Sequence, residues 1–165
     1  MKNFLSYFTA FIIAVGIVHA GVQVNPVHFR MPDSLGKRSV VYSYPIYCDD
    51  SLTMADSIFS GEFSAVSNSI FTVTGFDTAG TILANAQSIL YNNTTKKIVF
   101  ANVQPVTGKG VFIYLKISVN AAAQPGVIVP VSLSGVLLNE GTPSVAVTNG
   151  SFRPMDIFIS PKTLR

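Results

Sequence analysis

The sequence predicts an all-β fold: a two-sheet antiparallel β-sandwich of jelly-roll topology with about nine strands, after an N-terminal signal segment. Three observations predict it. From Gly21 onward no helical period holds. Short apolar or alternating runs recur about every ten residues, separated by turn-forming residues. The longest run, Val111 to Val119, alternates strictly, with Ile113, Leu115, Ile117 and Val119 expected inside and Phe112, Tyr114, Lys116 and Ser118 outside.

Residues 1–20 stand apart from that pattern. Lys2 supplies a positive start, Phe4 to Val18 is almost wholly apolar, and Val18-His19-Ala20 offers tolerated residues at the cleavage positions. No Asp, Glu, Lys or Arg lies between Lys2 and Arg30. The segment reads as a cleaved signal peptide in preference to an uncleaved anchor. The expected location is therefore secreted or cell-surface, with membrane contact only through this segment if it stays uncleaved.

The strands then follow in order. Val22 to Phe29 is the first, with Pro26 favouring an edge or a strand start. Pro32 to Gly36 reads as a turn, Gly36 accepting positive φ. Ser39 to Cys48 is β-branched and aromatic, with Pro45 again suggesting an edge or bulge, and Asp49 to Asp56 is polar and irregular. Ile58 to Val66 alternates: Phe59, Gly61, Phe63 and Ala65 on one side, Ser60, Glu62, Ser64 and Val66 on the other. Further strands are expected over Ile70–Thr74, Ile82–Tyr91, Lys96–Ala101, Val127–Leu133 and Val145–Phe152. The stretch between Leu133 and Val145 reads as a Gly/Pro-punctuated loop, and Ala121-Ala122-Ala123 as loop closed by Gln124-Pro125-Gly126. The sandwich domain is thus expected over 21–153, and 154–165 as a tail or the start of a linker.

Composition narrows function. Without Lys2 the chain carries ten basic and eight acidic residues, a net charge of +2 scattered along its length. No basic stripe suits a nucleic acid. One cysteine, Cys48, makes an intramolecular disulfide impossible, and its apolar setting reads as a buried small hydrophobe.

Catalytic and metal chemistry lacks its residues. Past the signal segment His28 is the only histidine, and no nucleophile-elbow motif accompanies it. Glu62 and Glu140 are the only glutamates, with nothing to pair them as a glycosidase dyad. Asp49, Asp50 and Asp56 lack calcium-loop spacing and read as a polar loop. Tryptophan is absent, so a sugar platform would rest on Tyr42, Tyr44, Tyr47, Tyr91 or Tyr114. The expectation is no catalytic residue, no metal and no cofactor.

Several motifs in a fixed order resemble one family. Gly75-Phe76-Asp77-Thr78-Ala79-Gly80-Thr81, the passage Phe100 to Val111, the loop Ile117 to Gly126, Leu138-Asn139-Glu140-Gly141-Thr142-Pro143 and Thr148-Asn149-Gly150-Ser151 are similar to segments of cohesin domains. The resemblance spans roughly residues 22–153. It departs at Val66-Ser67-Asn68-Ser69, where cohesins commonly carry Tyr-Asp-Pro, and at the acidic link after Cys48. The resemblance implies a nine-stranded jelly roll related to carbohydrate-binding modules, and docking of dockerin-bearing partners or attachment to a polysaccharide or cell surface. No dockerin contact is matched residue by residue. The outward row Ser60, Glu62 and Ser64, with Asn139 and Glu140 at a rim, is the expected binding surface. Direct polysaccharide binding and a structural repeat of a surface adhesin are the rival readings.

Overall fold

The computed structural model describes residues 25–156. The expected signal peptide at 1–20 and positions 157–165 of the expected tail lie outside the described residues. Twelve strands form: β1 (Val27–Arg30), β2 (Ser34–Lys37), β3 (Val41–Leu52), β4 (Ser60–Ala65), β5 (Phe71–Asp77), β6 (Ser88–Asn92), β7 (Lys97–Ala101), β8 (Gly108–Val119), β9 (Val129–Val131), β10 (Leu133–Leu138), β11 (Val145–Thr148) and β12 (Gly150–Met155). One layer is a five-stranded sheet ordered β11-β1-β3-β8-β5 and the facing layer a four-stranded sheet ordered β10-β4-β7-β6. A smaller sheet, β2-β12-β9, completes the structure.

The sandwich is built on the β3–β8 ladder, which pairs Val41 with Ser118 through Ile46 with Ile113. Period-2 alternation then sends Tyr44, Ile46 and Cys48 from β3, and Ile113, Leu115 and Ile117 from β8, into the space between the layers. Phe63, Ile98 and Phe100 meet them from the other sheet. The hydroxyl of buried Tyr44 donates to the Pro32 carbonyl, and burial holds it protonated well above its ordinary range.

Phe112 corrects the sequence reading. Strict alternation places it outside, yet it is 1% exposed. The cause is a β-bulge: Ile46 pairs with Ile113 while the next residue, Tyr47, pairs with Val111. Phe112 is the extra residue, and the local kink turns it inward beside Ile113. Its ring meets Phe29 at 4.8 Å and Phe100 at 5.6 Å between centroids, tying β1 to the opposite layer.

Other expectations shift for similar reasons. Phe59 lies outside β4 and is exposed, while Ile58 takes the interior place. Ser34–Lys37 is a strand, and Gly36 does not serve a positive φ. A Cβ there would strike the Phe152 and Tyr42 rings, so the residue is needed for close approach. Ile82–Asn85 is a 3-10 turn ahead of β6. The expected loop after Leu133 holds β10, which bulges between Ser134 and Leu137 with Gly135 at φ 58°. Pro45 does sit beside a bulge, and the short β1 reaches only Tyr47 and Cys48 of β3, leaving the ladder open beyond. β12 runs through Pro154 to Met155, into the stretch read as tail. Two ladders, β1–β11 and β2–β12, are parallel within the otherwise antiparallel sandwich. Alternation encodes which side is buried, and it is silent on a neighbour's direction.

Two outcomes follow for stability. Leu115→Ala empties a fully buried site and is expected to cost about 2–5 kcal/mol in chemical denaturation. Burial pushes the Cys48 thiol up to about 11 from an ordinary 9.0, overriding a backbone hydrogen bond at Asp50 that pulls the other way. As pH rises the unfolded thiol loses its proton first, so this contribution is complete below pH 9.0 and lost by about pH 11. Denaturation midpoints of the wild type are therefore expected to fall more steeply across that window than those of Cys48→Ala.

Candidate binding face

The four-stranded sheet turns one side to the core and leaves the other open. On its inner side lie Gly61, Phe63 and Ala65 of β4 with Ile98 and Phe100 of β7. The register then fixes three rows across the open side. Ser134, Ser64, Lys97 and Asn92 form one; Leu137, Glu62, Val99 and Leu90 the next; Ser60, Ala101 and Ser88 the third. The middle row is apolar apart from Glu62. Leu90 is 68% exposed, Leu137 43% and Val99 37%.

Glu62 does not stand free among those side chains. Lys97, on the adjacent strand and one row over, donates to its Oε1 at 2.8 Å. The pair neutralises the centre of the face without removing its hydrogen-bonding capacity. Between β4 and β10 the surface dips into a hollow of about 320 Å³ lined by Ser60, Glu62, Val99, Leu137 and Glu140. On the inner side beneath it, a Cβ on Gly61 would come within 2.6 Å of the Phe100 ring and 2.8 Å of the Leu137 carbonyl, so glycine lets β4, β7 and β10 approach closely.

The predicted binding residues divide in two. Ser60, Glu62 and Glu140 come together at the hollow, and Ser64 sits on the same face one row away. Asn139 does not join them. Its Oδ1 accepts from the Phe59 and Ser60 N–H groups at 2.8 and 3.1 Å, and its Nδ2 donates to the Ser57 carbonyl at 2.6 Å. It clamps the end of β10 to the start of β4, in a tight turn where Asn139 and Glu140 take φ of 41° and 63°. Leu90, Val99 and Leu137 were missed by the sequence reading. The signal for Val99 and Leu90 was available in the register of two short strands, whereas Leu137 lay in a segment read as loop.

Several charged groups away from this face are paired individually. Asp50 accepts from the His28 N–H at 2.6 Å and its ring at 3.0 Å, and chiefly the backbone bond holds its carboxyl below the usual range. Arg30 pairs with Asp49 at 3.0 Å and stacks over the Tyr47 ring at 4.7 Å. Asp56 accepts from both the N–H and the hydroxyl of Thr53. Among the described residues no tyrosine ring is fully exposed as a stacking platform. Tyr44 is buried, Tyr42 packs near Phe152, Tyr91 donates to the Val73 carbonyl, and Tyr47 and Tyr114 are half-buried.

Solved structures similar to this chain include several cohesins. The chain superposes on the third ScaC cohesin of Acetivibrio cellulolyticus, solved with a ScaB dockerin, with a TM-score of 0.63 at 16% identity, covering 78% of this chain and 99% of that one. For the OlpA cohesin of Clostridium thermocellum, also solved with a dockerin, the values are 0.60, 18%, 79% and 100%. For a non-cellulosomal cohesin of the archaeon Archaeoglobus fulgidus they are 0.60, 15%, 80% and 93%. The fold is therefore that of cohesins. No protein-family model matches the chain. Comparison with curated proteins gives no match.

Asn139→Ala strips the partners from two backbone N–H groups and one carbonyl. It is expected to lower stability by about 1–3 kcal/mol, read by thermal or urea unfolding.

Proposed function

We propose that this chain is a non-catalytic docking module that engages a protein partner through the open face of the four-stranded sheet. The observation that carries the reading is the row Leu137, Val99 and Leu90, exposed apolar side chains crossing the four-stranded sheet and flanked by serines, Asn92 and the Glu62–Lys97 pair. An apolar strip with a polar surround is the usual anatomy of a protein interface. Ser60, Glu62 and Ser64 supply hydrogen bonds along β4, and Glu140 closes one end of the hollow.

Two of the similar folds were solved bound to dockerins, which supports a dockerin-like partner. The apolar run from Phe4 to Val18 supports export, and so a meeting with that partner at the cell surface or beyond it. Work as a holdfast needs neither a cofactor nor a catalytic dyad. It needs a rigid surface, and the paired sheet provides one.

Titration with a panel of dockerin-type calcium-binding modules, in calcium and in chelator, tests the proposal. A saturable complex is expected with at least one module. Leu90→Glu and Leu137→Glu, both on exposed positions, are each expected to weaken it by about thirtyfold or more while leaving the melting temperature unchanged. Absence of a complex under both conditions overturns the dockerin reading. A complex indifferent to both substitutions overturns the assignment of the face.

A further inference from the structure

A second concavity lies at the end of the same sheet, where β7 ends and β6 begins. It is a cleft of about 280 Å³, near the low end of the ~300–1000 Å³ range of small-ligand sites. Its polar lining consists of Asn85, Gln87, Asn102, Gln104 and Thr107. Ile82, Pro105 and Val106 add an apolar side. No formal charge lines it among the described residues.

Several amides elsewhere among the described residues are committed to the backbone. Asn68, Asn92, Asn120 and Asn139 each bond backbone groups and so shape turns. By contrast, the side chains of Asn85, Gln87, Gln104 and Thr107 make no hydrogen bond within the described residues. Asn102 is half committed: its Oδ1 accepts from the Gln87 N–H at 2.8 Å, which fixes the amide and joins the two walls. The backbone around it is also in use. The Asn102 and Val106 N–H groups donate to the Phe59 and Ile58 carbonyls, both at 2.7 Å, so the 102–106 wall offers neither N–H to a peptide strand.

We infer that this cleft binds a neutral saccharide. Carboxamides present a donor and an acceptor side by side, which matches vicinal hydroxyls that each donate and accept. The apolar side formed by Ile82 and Pro105 suits the C–H face of a pyranose ring. Missing charge disfavours anionic ligands, which would be desolvated without a counter-ion. This site stands on its own observations and does not depend on the docking face.

Isothermal titration of the purified protein with cellotetraose, xylotetraose and mannotetraose, with tetragalacturonate as the anionic comparison, tests the inference. Saturable heat is expected with at least one neutral oligosaccharide. The Gln87→Ala/Gln104→Ala double variant is expected to weaken that binding about tenfold. Both positions are exposed, so its melting temperature is expected to match the wild type, and Leu90→Glu is expected to bind the sugar normally. Heat from none of the neutral sugars, heat from tetragalacturonate alone, or equal affinity in the double variant overturns the inference.

Discussion

Much of the interior depends on one of the two register shifts in the ladder between β3 and β8, the one at Ile46 and Tyr47. Were that pairing regular from end to end, β8 would send one side chain in every two toward the core. The bulge opposite Ile46 and Tyr47 breaks the count and delivers Phe112 and Ile113 together. Phe112 then fills the gap between β1 and β7 through its contacts with Phe29 and Phe100. Two sheets of differing width gain from such an adjustment where their inner faces meet at native density. The four-stranded sheet, whose outer side is the candidate face, is thus packed from behind by the same aromatic cluster.

Much of this was legible in the chain and some was not, for definable reasons. The buried row of Ile113, Leu115 and Ile117, the inward Phe63 and Ala65 and the outward Ser60, Glu62 and Ser64 all follow from period-2 alternation. Phe112, Phe59 and β10 escaped it, because bulges and strand ends shift the phase by one residue without any marker in composition. Gly36 shows the same limit from another side. Glycine signals either an unusual dihedral or a close neighbour, and only the position of Phe152 decides between them. The two parallel ladders could not be read at all, since they join segments more than a hundred positions apart.

The candidate sites were partly readable on the same terms. A polar outward row could be named from one strand, but a face is made by several, and its apolar middle came from β6, β7 and β10 through register. Asn139 looked like a surface donor and is instead the bolt that holds the rim in place. The amide-lined cleft was invisible for a related reason: its two walls are separated in sequence and joined by the Asn102–Gln87 bond. Both surfaces sit on the same layer, which leaves the five-stranded sheet free to act as scaffold.

The parallel ladders have a mechanical corollary. β1 runs parallel to β11 and β2 parallel to β12, with Val27 opening the first ladder and Met155 closing the second. Tension applied through those two residues drags the paired strands past one another lengthwise. Every hydrogen bond in both ladders must then resist together, in shear, where an antiparallel hairpin pulled from its open end would unzip bond by bond. A fold strung between an anchor and a load would gain endurance from that arrangement alone.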